Sequence, residues 1–170
     1  MSKPEITANC LDFGVAPQRT FSGIAEYLSA FNHPKVNVTL LVGSKVLESF
    51  TKWDTDGGKC GLVTLEMCGF ASHCRLDYRA FTWILHQLGY KYCSPADAPY
   101  LASYPLDNKI LESQLPPDPI YVFSPPNDNR LVVINFALSV LPPYEPFSSV
   151  ASLSIYANTF TARTPVIVRL

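Results

Sequence analysis

The chain has 170 residues, of which 48% are hydrophobic, 12% aromatic and only 16% charged, with a formal net charge of -1. A single domain of this length buries roughly two thirds of its unfolded surface without staples, and its near-neutral balance argues against gripping nucleic acid through clustered Lys and Arg. Ordinary soluble domains carry roughly 25% charged residues, so part of this exterior must be apolar or neutral-polar, as in a protein packed against neighbours.

Residues 1 to 20 contain Pro4, Gly14 and Pro17 and no sustained period, which predicts an extended arm draped over a larger partner. Phe21, Ile24, Leu28 and Phe31 fall at helical spacing, with Thr20 or Ser22 as cap, and Asn32-His33-Pro34 ends this short helix. Val36, Val38, Leu40 and Val42 alternate with Asn37 and Thr39 as a strand, and Gly43-Ser44 turns the chain into a second strand from Lys45 to Trp53. A loop at Asp54-Thr55-Asp56-Gly57-Gly58 then leads into a strand from Cys60 to Cys68, completing a hairpin in outline. Tyr78, Phe81, Trp83, Leu85 and Leu88 fit a long aromatic strand between Arg75 and Tyr92 better than a helix, given Thr82 and Trp83 at its middle.

Eight prolines between Ser94 and Pro126 leave room for short strands only, at Lys109 to Leu115 and Ile120 to Phe123. Val132, Ile134, Phe136, Leu138 and Val140 then alternate with their neighbours at the period of a pleated strand. Pro142, Pro143 and Pro146 break it, because proline cannot donate to a ladder. Ala151, Leu153 and Ile155 alternate with Ser152, Ser154 and Tyr156 in the returning antiparallel partner. Val166 to Leu170 closes the chain as a last strand or an ordered tail. The pattern predicts an all-β fold: an eight-stranded antiparallel jelly-roll β-sandwich over residues 36–170, preceded by a short arm and helix over residues 1–35.

No catalytic motif stands out, and no enzyme activity, cofactor or metal is expected. Asp54-Thr55-Asp56-Gly57 fails as a calcium loop, since the required glycine and final acid fall on Lys59 and Leu65. His73, Cys74, His86 and Cys93 lack the spacing of a metal site or an oriented thiol nucleophile. Five cysteines, Cys10, Cys60, Cys68, Cys74 and Cys93, form a poor disulfide framework without a secretory leader, so free buried thiols in a reducing compartment are expected. Cys60 and Cys68 share a face of the expected strand but lie beyond disulfide reach along it. The sequon Asn37-Val38-Thr39 is expected to stay bare for the same reason. Arg75, Arg79, Arg130, Arg163 and Arg169 are scattered among aromatics, more in keeping with solvated or inter-subunit roles than a nucleic-acid site. Trp53, Trp83, Tyr90, Tyr92, Tyr100 and Tyr104 would serve as core and interface anchors, or as sugar-stacking platforms in a carbohydrate-binding module.

The segment LVVINFALSVLPPYEPFSSVASLSIYANTFTARTP resembles the last two strands of a picorna-like viral coat protein, and SKVLESFTKWDTDGGKCGLVTLEMC is similar to the opening strands of the same jelly roll. Small size and the absence of a basic arm direct the resemblance to the coat proteins of plant picorna-like viruses, the secovirus group. The resemblance implies a structural virion protein, a capsid subunit assembling with copies of itself and related coat proteins into an icosahedral shell. That shell encloses single-stranded RNA through weak contacts, is put together in the host cytoplasm and involves no membrane. Pro142, Pro143, Tyr144 and Phe147, in the proline corner, are the expected subunit-interface residues.

Overall fold

A computed structural model describes residues 11–41, 43, 45, 53–108, 110, 115–116, 118–123, 130–137, 148–155 and 159–170. The chain is mostly sheet, most of its ladders are antiparallel, and the helices among the described residues are few and short. The principal sheet has eight strands. Its main path runs from β1 (Leu11–Ala16) through β5 (Gly58–Val63), β12 (Val166–Arg169), β8 (Ile120–Phe123), β9 (Arg130–Ala137) and β10 (Ser148–Ile155) to β3 (Val36–Leu40). The short β7 (Lys91–Tyr92) also pairs with β12. Two ribbons complete the strands, β2 (Arg19–Phe21) with β4 (Trp53–Thr55) and β6 (Arg75–Leu76) with β11 (Phe160–Thr161).

The longest ladder is the one most legible in the sequence. β9 and β10 pair antiparallel from Ser148 opposite Ala137 to Ile155 opposite Arg130, and β8 lies antiparallel on the other side of β9. Two ladders depart from the expected all-antiparallel jelly-roll pairing: β3 runs parallel to β10, and β8 parallel to β12. Parallel neighbours need long crossovers, and in both cases the partners are far apart in the chain. β12 settles the alternatives for the C-terminus. It is an inner strand between β5 and β8, and all four of its residues are buried. A continuous Val-Ile-Val run suits such a position, with no solvated face to demand alternation.

Alternation across β12 divides the core. Ile167 joins Phe13, Tyr27, Trp53 and Leu101 on one face, while Val166 and Val168 join Phe81, Leu85 and Phe160 on the other. The first face is covered by α1 (Ile24–Ser29) and α3 (Ala98–Asp107), the second by α2 (Tyr78–Gln87).

Several expectations are corrected. Residues 11–21 are pleated into β1 and β2 of their own chain, not draped as an arm; residues 1–10 lie outside the described residues. α1 forms as expected, but its N-cap is Gly23 with no side-chain cap, and Ser22 instead bonds Glu26 through its backbone and hydroxyl. Of the strand expected from Lys45 to Trp53, residues 46–52 lie outside the described residues, and the Asp54–Gly58 turn does not join two arms of one ladder, since β4 pairs with β2 and β5 with β1 and β12. The strand expected to run to Cys68 ends at Val63, and Cys68 sits in a 3-10 turn.

The expected strand between Arg75 and Tyr92 is mostly the helix α2. Asp77 caps it by accepting from the Ala80 amide at 2.8 Å, and Tyr78, Phe81, Thr82 and Leu85 bury one face at i, i+3, i+4 and i+7. Thr82, taken as a strand signal, bonds the Tyr78 carbonyl, and Trp83 points outward at 61% exposure. Tertiary burial outweighs the β propensity of these two residues. Prolines did not exclude helix from residues 98–107 either. Pro99 lies in the first turn, where its missing donor costs nothing, and Pro105 lies in the last turn. The strand expected at Lys109 to Leu115 falls largely outside the described residues.

Candidate functional site

The strongest concentration of chemistry is a buried polar cluster where β5, β12 and the segment after β7 meet. Arg169, the last residue of β12, stands opposite Cys60 of β5 and Lys91 of β7. Its guanidinium spends four contacts inside the fold. Nη1 donates to the Gly58 carbonyl at 3.1 Å and to Cys60 Sγ at 2.6 Å; Nη2 donates to Thr55 Oγ1 and to Asp97 Oδ2, each at 2.8 Å.

Asp97 is fully buried, and a local motif holds it there. Ser94 accepts from the Ala96 amide, and Asp97 Oδ2 accepts from the Ser94 amide at 3.0 Å, a capping box that opens the 3-10 turn at Pro95–Asp97. Its other oxygen accepts from the Thr55 hydroxyl at 2.6 Å. The Asp54–Gly58 turn brings Thr55 within reach. There the Gly57 amide donates to Thr55 Oγ1, and Ser94 donates to the Asp54 carbonyl. Gly57 has φ 74, and a Cβ there would stand 2.6 Å from the Ala16 carbonyl oxygen, so both backbone shape and space require glycine.

Two thiols complete the cluster. Cys60 and Cys93 are both buried, and their sulfurs stand 3.8 Å apart. The Cys93 thiol hydrogen-bonds toward Cys60, and with the Arg169 guanidinium alongside this holds Cys60 below the ordinary thiol range in spite of burial. That shared contact, together with burial, pushes Cys93 well above it. One sulfur is thus prepared to carry negative charge and the other to keep its proton. Nearby, Tyr100 donates to the Phe13 carbonyl at 2.9 Å, and burial pushes its phenol up to about 12.

A second feature lies at the sheet edges. β3 ends the main strand path, and from Val36 to Leu41 it carries no charged side chain. Leu40 is 38% and Leu41 62% exposed. The Leu41 amide donates to Leu153 of β10, so the N–H and C=O groups of Leu40, one residue earlier, point away from the sheet. Among the described residues no strand pairs with that side. The opposite edge is blunted. β1 carries a bulge between Asp12 and Val15, Gly14 at φ 71 bonds Asp12, and Tyr100 occupies the Phe13 carbonyl.

Of the residues singled out from sequence, Cys60, Cys93 and Arg169 meet in the buried cluster, although their spacing had not brought them together. Pro142, Pro143, Tyr144 and Phe147 lie outside the described residues. Trp53 is 2% exposed and stacks on Tyr27 at 4.5 Å, while Trp83 stands outward on α2 at the other face, so the two tryptophans do not share a sugar-stacking platform. His86 stacks on Tyr92, and among the described residues no three metal-ligating groups gather. Arg163 pairs with Glu66 at 3.2 Å, whereas Arg75 and Arg79 are exposed. An open groove of about 340 Å³, lined by Asp118, Tyr121, Thr161, Arg163 and Thr164, mixes both signs of charge. No helix among the described residues is long and apolar enough to cross a membrane.

No protein-family model matches this chain, and neither the curated proteins nor the solved structures provide a match.

Proposed function

We propose that this chain is a structural subunit whose work is assembly: a sheet-rich wall element that packs against copies of itself and related chains to close a shell around single-stranded RNA. The observation that carries the reading is the β3 edge, unpaired among the described residues, uncharged from Val36 to Leu41 and apolar at its end, opposite a β1 edge that is bulged and occupied. Exposed strand edges without charge, proline or bulge are templates for pairing with another chain. The thinly charged exterior and the outward Val15, Met67 and Trp83 add surface that gains from being covered.

Each contact in such a shell is weak by itself, and closure of many contacts supplies the stability. The RNA is held mainly by enclosure, with Arg75 and Arg79 available for a few phosphate contacts. The finer form of the proposal is a jelly-roll coat subunit of the plant picorna-like kind, acting in the virion after assembly in the host cytoplasm. It rests on the sequence resemblance and on the antiparallel β8–β9–β10 run. The two parallel ladders weigh against a standard jelly-roll order, and assembly through the β3 edge does not depend on that order. Negative-stain microscopy of the concentrated chain, with and without single-stranded RNA, tests the proposal. Closed particles of uniform size support it; dispersed single molecules under both conditions overturn it.

A further inference from the structure

We propose that Cys60 and Cys93 form a reversible redox pair, a site at which a small peroxide converts two buried thiols into a disulfide bridging β5 to the segment after β7. The inference stands on the geometry of the polar cluster and is independent of the assembly reading. The two sulfurs are 33 residues apart in the chain and 3.8 Å apart in space. A disulfide needs about 2.05 Å, so closure asks for less than 2 Å of combined approach. β5 and β7 both pair with β12 at Arg169, which fixes the two cysteines to one end of one rigid strand.

The cluster assigns different parts to the two thiols. Cys60 receives an Arg169 N–H at 2.6 Å, a charge-assisted contact that suits a thiolate, whereas the Cys93 sulfur makes its contact with Cys60 itself. Cys60 is therefore the attacking sulfur. Its thiolate bonds to one peroxide oxygen as the O–O bond breaks, and the departing hydroxide takes up a proton to leave as water. Cys93 then attacks the resulting sulfenic acid. The S–S bond forms, the S–O bond breaks, and the second hydroxide leaves as water with the Cys93 proton. Overall two thiols are oxidised and one hydrogen peroxide is reduced to two waters.

Arg169 keeps Asp97, Thr55 and Gly58 after the sulfur is lost, so the guanidinium is not orphaned by oxidation. Reagent size matters, because both sulfurs are buried. The neighbouring turn at residues 56–58 is the thinnest cover, with Asp56 exposed and Gly57 and Gly58 half-buried and without side chains, and hydrogen peroxide needs less opening there than a bulky alkylating agent.

The full-length chain is treated with hydrogen peroxide under native conditions, then alkylated and digested with trypsin and a Glu-specific protease together. This digestion separates peptide 60–66 from 67–75, so Cys60 is read apart from Cys68 and Cys74, and it releases Cys93 in peptide 92–109. The expected product is peptide 60–66 linked to 92–109, lighter by two hydrogens and released by dithiothreitol. In Cys93→Ser, Cys60 stops at the sulfenic acid and is trapped by a dimedone probe. If that variant does not fold, the wild-type time course serves instead, with sulfenate label at Cys60 appearing before the link. Arg169→Lys, which withdraws the Nη1 donor from Cys60, slows the first step several-fold. Cys60 and Cys93 persisting as separate thiols, separate over-oxidation of each, or linkage of either to Cys10, Cys68 or Cys74 overturns the proposal.

Discussion

Replacing Arg169 with Met tests the energetic reading of the polar cluster most sharply. The substitution keeps an unbranched stem of similar reach and removes the donors to Asp97, Thr55, Cys60 and Gly58. Asp97 is fully buried, so its carboxylate loses the only cation in contact with it among the described residues. Removing one partner of a buried pair costs about 3 to 5 kcal/mol. The Ser94 amide and the Thr55 hydroxyl still donate to Asp97, which places the expected loss near the lower end, about 3 kcal/mol. For a chain of this size that corresponds to a fall in Tm of roughly 6 to 12 °C and a fall of about 1 to 2 M in the urea midpoint. Circular dichroism during thermal and urea unfolding reads both. Adding Asp97→Asn to Arg169→Met removes the orphaned charge and recovers about 1 to 2 kcal/mol. A loss below about 1 kcal/mol for Arg169→Met, or a double variant whose loss is the plain sum of the singles, would refute the reasoning.

Other perturbations report on separate parts of the fold. Gly57→Ala forces a side chain onto a positive φ and against the Ala16 carbonyl, and is expected to cost about 1 to 3 kcal/mol in urea unfolding. Asp77→Ala removes the cap of α2 and costs about 1 kcal/mol; an unchanged midpoint would mean that the cap is idle. Leu85→Ala leaves a cavity between α2 and the sheet and lowers stability by about 3 kcal/mol. Tyr100 has its pKa raised in the fold, so its contribution is complete below pH 10 and is lost as pH rises through about 12. Ultraviolet titration of tyrosinate shows this late ionisation, and Tyr100→Phe flattens the alkaline fall in Tm; a Tyr100 that titrates with the ordinary phenols contradicts the assignment.

The elements readable from the sequence were those whose period and neighbours agree. The alternation beginning at Val132 and the Ala151, Leu153, Ile155 series gave β9 and β10, and the Val36, Val38, Leu40 series gave β3. Where local propensity and tertiary burial conflict, the reading failed. Thr82 and Trp83 favour strand, yet Asp77 followed by Tyr78, Phe81, Thr82 and Leu85 is a capped helical face. Pro99 and Pro105 were taken as breakers, although Pro99 occupies the first turn, in which proline is tolerated, and the helix runs on through Pro105 near its end.

The polar cluster was less accessible, because contact depends on topology and not on spacing. Arg169 lies 109 residues from Cys60 and 72 from Asp97, and the ladders that join them are set by β12 becoming an inner strand. Two local signals were present. Ser94-Pro95-Ala96-Asp97 is a capping-box pattern that fixes its acid inward, and an arginine closing the apolar run Val166-Ile167-Val168 calls for a buried partner. Neither signal names Cys60 or Cys93 as the neighbour.

Assembly through the β3 edge is the central claim, and sedimentation velocity of the wild type beside Leu40→Pro tests it most directly. Proline at this position removes an outward N–H while leaving the Leu41 bond to Leu153 in place. The wild type should form larger species as its concentration rises, and Leu40→Pro should sediment as a monomer with an unchanged circular dichroism spectrum. Wild-type chain that stays monomeric throughout, or a proline variant that associates as readily, would contradict it.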